Sequence, residues 1–193
     1  MSGRRSLTEI AQEAWSRYLR PGSWALDATA GNGLDTECLA RLVGKEGRVF
    51  AVDIQEIALE ITRQRLLKAG LADRVSLVRG DHGRLRELLA CGTRGRIGLA
   101  CFNLGYLPNG DHAIRTRPSG TIPALMEALL QLAPDGALSV VTYRGHDGAM
   151  EEAAAVERFF NTLPRPWTCV EQLATGSAEK PGPVWWLAAT EGD

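Results

Sequence analysis

The sequence predicts an α/β fold: a mostly parallel, seven-stranded sheet with an antiparallel last strand and helices on both faces. Three observations predict it. Short apolar runs alternate with helix-length amphipathic segments along most of the chain, the pattern of repeated strand–helix–strand units. Several of these runs end in an acid or an Asn followed by a glycine-bearing turn, as in Asp27-Ala28-Thr29-Ala30-Gly31-Asn32-Gly33 and Asn103-Leu104-Gly105-Tyr106. The last two runs follow one another with no helix between them, and a short connection makes them antiparallel neighbours.

The elements follow in order. Residues 6–19 read as an amphipathic helix, with Leu7, Ile10, Ala14 and Tyr18 on one face and Arg20-Pro21-Gly22 ending it. Residues 24–28 form the first strand and 34–43 the first crossover helix. Arg48-Val49-Phe50-Ala51-Val52-Asp53 is the second strand, and a helix runs from there to about Ala69. Residues 74–79 form the third strand and 97–102 the fourth. A helix spans 121–132, with Pro123 tolerated in its first turn. The fifth strand, 137–142, follows an Asp135-Gly136 turn, and a helix covers 151–163. Residues 168–174 and 184–189 are the late strands. Trp185 and Trp186 alternate faces in the last one, so one ring is expected in the core and the other outside.

The totals set bounds. A length of 193 residues suits one domain over 1–193, with residues 1–22 as an N-terminal helix packed on it. With 45% hydrophobic and 23% charged residues the chain can bury a core without staples. A net charge of -1 gives no global nucleic-acid signature, and leaves a local basic patch open. Cys38, Cys91, Cys101 and Cys169 form no C-x-x-C pair, which fits buried free thiols in a reducing cytoplasm and no metal. No leader-like segment and no bilayer-length apolar run stands in the chain, so a cytoplasmic location is expected.

The first glycine turn carries the chemistry. A dinucleotide site wants Gly-x-Gly-x-x-Gly facing a pyrophosphate. Here Gly31-Asn32-Gly33 continues as Leu34-Asp35-Thr36, so the third glycine is absent and an acid stands where a phosphate would be repelled. S-adenosylmethionine (SAM) suits the turn better: it has no phosphate, and its ammonium and sulfonium favour nearby carboxylates such as Asp27. Asp53, roughly 20 residues further on at a strand end, is placed to accept from both ribose hydroxyls, a role compatible with capping the next helix. Asp81, after the third strand, is the candidate acceptor for the adenine amine. His82 either lines the same pocket or is a satisfied loop histidine.

Taken together, Asp27-Ala28-Thr29-Ala30-Gly31-Asn32-Gly33, Asp53-Ile54-Gln55, Phe102-Asn103-Leu104-Gly105-Tyr106-Leu107-Pro108 and Tyr143-Arg144-Gly145-His146 resemble the bacterial putative rRNA methylase family. The resemblance implies a class I SAM-dependent methyltransferase with a Rossmann-like fold. It also implies conversion of the aminomethyl group of a tRNA wobble 5-aminomethyl-2-thiouridine to methylaminomethyl, with the tRNA anticodon stem-loop as partner, and a homodimer. The expected cofactor residues are Asp27, Thr29, Gly31, Asn32, Gly33, Asp35, Thr36, Asp53, Ile54, Gln55, Asp81, His82 and Asn103. The segment Pro118-Ser119-Gly120-Thr121-Ile122 is similar to the family's Ser-Ser-Thr-Ile stretch, with Gly120 in place of the second serine and Thr121 retained.

Asn103-Leu104-Gly105-Tyr106 also resembles the Asn-Pro-Pro-Tyr motif of amino-group methyltransferases, without the two prolines. By that likeness the Asn103 amide oxygen and the Leu104 carbonyl accept from the amine, and Tyr106 stacks on the base or guards the methyl. Tyr143 and His146 follow the adjacent strand; His146 takes a proton, contacts RNA, or is a structural loop histidine. Gly105, Tyr106, Arg115, Arg117, Thr121, Tyr143 and His146 complete the expected acceptor side, with Arg115 and Arg117 contacting phosphates or simply solvated. Two other readings stay open: a small-molecule or rRNA N-methyltransferase on the same fold, and a SAM-binding RNA module without catalysis.

Overall fold

The computed structural model describes residues 5–89, 92–108, 110–111, 113–145, 147–177 and 181–190. Seven strands form one sheet: β1 (Trp24–Asp27), β2 (Arg48–Asp53), β3 (Val75–Arg79), β4 (Ile97–Leu104), β5 (Leu132–Thr142), β6 (Trp167–Gly176) and β7 (Pro181–Thr190). Their order is β3-β2-β1-β4-β5-β7-β6. β7 runs antiparallel to both β5 and β6, and the remaining pairs are parallel. The chain therefore steps outward from β1 to β3, then returns to start β4 on the other side of β1. That reversal opens a crevice beyond the strand ends, where open α/β sheets bind ligands.

The helices are α1 (Leu7–Trp15), α2 (Leu34–Leu42), α3 (Glu56–Ala69), α4 (Leu85–Leu88), α5 (Pro118–Gln131) and α6 (Ala149–Asn161). Strand side chains alternate between two cores. On one face Leu26, Phe102, Leu138 and Trp186 pack with Leu125 of α5 and Val156 and Phe160 of α6. On the other, Ala25, Leu99, Val141 and Trp185 pack with Leu7 and Trp15 of α1, Leu39 of α2 and Leu66 of α3. Both tryptophans of β7 are thus buried, at 1% and 3% exposure. The expectation of one outward ring fails because β7 lies inside the sheet and is covered on both faces; Trp186 stacks on Phe160 at 5.2 Å.

Other boundaries differ for local reasons. α1 stops at Trp15 rather than running to residue 19, although Leu19 stays buried. α5 begins at Pro118, three residues before the expected start. Pro118 takes the first turn, where a missing N–H costs nothing, and Pro123 sits inside the helix. β5 begins at Leu132 and runs through the expected Asp135-Gly136 turn. The register absorbs the extra residues between Ile97↔Leu132 and Leu99↔Ala137. Gly136 permits this approach, since a Cβ there would lie 2.8 Å from the Ile97 carbonyl.

α1 is a fixed part of the fold. Ser6 and Glu9 form a capping box at its start. At its end the Trp15 indole N–H donates to Ser139 Oγ at 2.9 Å, and Trp185 donates to the same oxygen at 3.0 Å. One buried hydroxyl on β5 thereby satisfies indoles from α1 and β7. Ser139→Ala leaves two buried N–H groups without an acceptor and is expected to cost about 1–3 kcal/mol. Urea unfolding followed by circular dichroism checks this; an unchanged midpoint would show that Ser139 satisfies neither ring.

Candidate active site

The turn after β1 is held from behind. Asp27 is fully buried and accepts from the Thr29 N–H at 3.1 Å and the Thr36 hydroxyl at 2.6 Å. It ties the turn to α2 from behind and does not line the crevice, so its carboxylate stands near the expected cofactor site but faces the turn. Thr36 is fully buried with it. Gly33 caps α2 with φ near +75°, and a Cβ there would lie 2.8 Å from Thr62 Oγ1. Its conformation and the approach of α3 demand glycine, not space for a ligand. Thr62 donates to the Gly31 carbonyl at 3.1 Å, and Arg65 to the Asn32 carbonyl at 2.8 Å.

Three carboxylates line the crevice on this side. Asp53, at the end of β2, accepts from the Gly31 N–H and the Gln55 N–H, both at 2.9 Å. Each oxygen holds one backbone donor and keeps further lone-pair capacity. Asp35, in the first turn of α2, is 6% exposed. Asp81 spends one oxygen on the Gly83 N–H at 2.8 Å, capping the short turn 82–84. His82 packs edge-on against Phe102 at 6.0 Å, and burial pulls its imidazole below the ordinary value, favouring the neutral ring.

Asn103, near the end of β4, is the centre of the polar network. Its backbone N–H donates to Thr29 Oγ1 at 2.7 Å. Its side-chain Nδ2 donates to Asp35 Oδ2, while Gln12 Nε2 of α1 donates to Asp35 Oδ1 at 2.6 Å. Asn103 Oδ1 is buried and has no hydrogen-bond partner. The loop that follows folds back on itself: Tyr106 bridges Arg115, and the Thr116 N–H donates to the Gly105 carbonyl at 2.8 Å. The hydroxyls of Thr116 and Thr121 both donate to Glu152 of α6 at 2.6 Å. Arg115 pairs with the exposed Asp147 at 2.6 Å.

These groups surround one cavity of about 1000 Å³. Of the expected residues it gathers Thr29, Gly31, Asn32, Asp35, Asp53, Ile54, Gln55, Asp81, His82, Asn103, Leu104, Gly105, Tyr106, Arg115, Arg117 and Tyr143. Asp27, Gly33 and Thr36 stand behind the turn. Thr121 is fully buried on Glu152, away from the cavity, because its hydroxyl anchors the loop. His146 lies outside the described residues, as do His112 and Cys91. Thr8 and Arg144, which were not among the expected site residues, also line the wall, as does the segment Pro181–Pro183. Thr8 shares a helical face with Gln12, but no motif marks either. The charges divide by position: Asp35, Asp53 and Asp81 come from the β1–β3 side, and Arg115, Arg117 and Arg144 from the loops after β4 and β5.

Strand order, antiparallel β7 and the crevice beyond β1 and β4 define the class I SAM-dependent methyltransferase fold. A family model described as "Putative rRNA methylase" matches residues 49–188, and the chain belongs to that family. A putative rRNA-methylase from Clostridium thermocellum superposes with a TM-score of 0.86 at 34% identity, covering 99% of this chain and 100% of that one. A putative methyltransferase from Streptococcus mutans, solved in complex with S-adenosylhomocysteine (SAH), gives 0.83 at 28% identity, with 97% and 99% covered. The chloroplastic tRNA (mnm(5)s(2)U34)-methyltransferase of Arabidopsis thaliana is 38% identical over 86% of this chain, which spans 64% of that protein's length. Among the described residues no helix is long and apolar enough to cross a membrane.

The buried acids make stability depend on pH. Burial, and then the neighbouring Asp35, push the Asp27 carboxyl from 3.8 up to about 7. The folded value lies above the unfolded one, so its contribution is fully present below about pH 4 and is lost as pH rises through about 7. Asp27→Asn removes this dependence. Its stability relative to the parent is expected to rise between pH 4 and 7 by on the order of a few kcal/mol and then level off. Chemical denaturation across that range, without cofactor, reads this directly; parallel curves for the two proteins would contradict it.

Proposed function

We propose that this protein uses SAM to methylate the aminomethyl group of a tRNA wobble uridine, giving methylaminomethyl. The division of charge across the cavity carries this reading. Carboxylates on the β1–β3 side suit a cofactor that is cationic and free of phosphate. A pyrophosphate there would meet Asp35 at the start of α2 and be repelled. Arginines on the β4–β5 side suit the phosphates of an RNA strand entering from the mouth. The cavity volume, at the upper end for ligand pockets, accommodates a nucleoside cofactor together with an extruded base. The name of the chloroplast relative supports the wobble assignment, and the match to the family supports RNA as the substrate class. The protein then acts in the cytoplasm, as a homodimer, on the anticodon stem-loop.

The residues present fit SAM. Asp53 would hold the ribose hydroxyls with its remaining lone pairs, Asp35 would face the cationic end, and Asp81 and His82 would border the adenine. SAM supplies an electrophilic methyl on sulfur. The chain's own task is to present a neutral amine in line with that methyl and to exclude water. Asn103 Oδ1, buried and without a partner, would accept one amine N–H, and the Leu104 carbonyl would accept the second. With both N–H groups so held, the nitrogen lone pair would point away from these two acceptors and toward the methyl. Tyr106 and Tyr143, each more than a third exposed at the mouth, offer aromatic faces to the base.

Labelled SAM and tRNA isolated from cells lacking the modification test this, with nucleoside mass analysis of the product. The expected result is one methyl added to 5-aminomethyl-2-thiouridine and no label on rRNA or amine metabolites. Label on another nucleoside, or on rRNA, would overturn the wobble assignment. Cofactor binding without transfer to any of the three would overturn the N-methyltransferase reading itself.

A further inference from the structure

We propose that Gln12, on the N-terminal helix, is a positioning residue for methyl transfer: through Asp35 it fixes the Asn103 amide so that Oδ1 stays open toward the methyl acceptor. The inference rests on the reading of Asn103 as the group that holds the amine.

A side-chain amide has two nearly isosteric ends of opposite hydrogen-bonding character. If the NH₂ end of Asn103 faced the cavity, it would donate to the amine lone pair and occupy the electrons needed for attack. The useful orientation therefore has to be enforced from behind. An ionised carboxylate only accepts, so Asp35 selects the NH₂ end of Asn103 and leaves Oδ1 facing away from it. The unpartnered, buried Oδ1 is what this selection leaves over.

Asp35 does this reliably only while its own carboxylate is held in place and ionised. A protonated Asp35 could donate to Oδ1 and reverse the amide. Gln12 Nε2 donates to Asp35 Oδ1 at 2.6 Å, on the opposite oxygen from Asn103. Burial pushes the Asp35 carboxyl up, and the Gln12 hydrogen bond opposes that shift. Gln12 itself is anchored by its helix. Leu7, Ala11, Ala14 and Trp15 of α1 are buried, Ser6 caps the first turn, and Trp15 donates to Ser139. Thr8, one turn before Gln12, reaches the cavity wall, with its hydroxyl 3.4 Å from that of Tyr143. α1 is therefore a wall of the site and not an appendage to the fold.

Gln12→Ala leaves the buried face of α1 intact but strips one donor from the buried Asp35 carboxylate, so the fold should persist with a melting temperature lower by no more than a few degrees. A double-mutant cycle with Asn103→Ala isolates the coupling. The rate is the single-turnover transfer at saturating SAM to tRNA from cells lacking the modification. Gln12→Ala is expected to slow it about tenfold in the parent and less than about twofold in the Asn103→Ala background; SAM is saturating, so any loss of affinity through Asp35 does not enter the rate. Equal slowing in both backgrounds, or no slowing in the parent, overturns the proposal. A second readout does not depend on activity. The Asn103 side-chain NH₂ pair, assigned in ¹H–¹⁵N spectra by its loss in Asn103→Ala, should shift and exchange faster with solvent in Gln12→Ala. An unmoved pair overturns the proposal, whereas normal turnover by Asn103→Ala with a moved pair overturns only the amine-holding reading beneath it.

Discussion

The hydrogen bond from Asn103 Nδ2 to Asp35 joins the two halves of the site. Asn103 belongs to β4 and Asp35 to α2, so the contact spans the point where the strand order reverses. On one side of it the turn after β1 is locked by Asp27, Thr36, Thr62 and Arg65. On the other side the loop after β4 is locked by Glu152 through Thr116 and Thr121. Each half is rigid for its own reasons, and the amide–carboxylate contact sets their relation. An acceptor with no partner is left between them, and a buried unsatisfied oxygen costs about 1–3 kcal/mol unless a ligand fills it.

Burial of acids beside this contact has a physical cost that the fold meets with donors. Asp27 and Asp35 are both buried, and desolvation raises both carboxyls. Thr29, Thr36 and Gln12 supply hydrogen bonds that lower them. A cation brought into the crevice would favour the ionised forms further, so binding and ionisation are linked. The same carboxylates disfavour a phosphate-bearing cofactor. On the far wall the arginines favour phosphate, so the one cavity has two chemically distinct walls.

Much of this was legible in the sequence because it depends on local signals. Strand ends with acids, the glycine turn and the two adjacent late strands led to the sheet and its crevice. Asp53, Asn103 and Tyr106 were visible because each sits at a strand end within a motif. What was not legible depends on packing between distant segments. The residue types around Asp27 and Asp35 are alike, and only burial shows that Asp35 faces the cavity while Asp27 braces the turn. Gly33 stood among the expected cofactor residues, but the space beside it is taken by Thr62 of α3. Thr121 appeared to offer a hydroxyl to substrate, but Glu152, thirty-one positions away, accepts it. Gln12 lies in an unremarkable amphipathic helix, and its role follows from a contact across twenty-three positions.

The most direct measurement is single-turnover methyl transfer by Asn103→Ala beside its SAM affinity by calorimetry. If the open amide oxygen orients the amine, transfer should fall by about a hundredfold or more, since misplacing a reacting group costs this much, while SAM binds within about twofold of the parent. Transfer at the parent rate would contradict the role of Asn103. Loss of SAM binding in step with the rate would make Asn103 a cofactor-site residue and leave the amine without its holder.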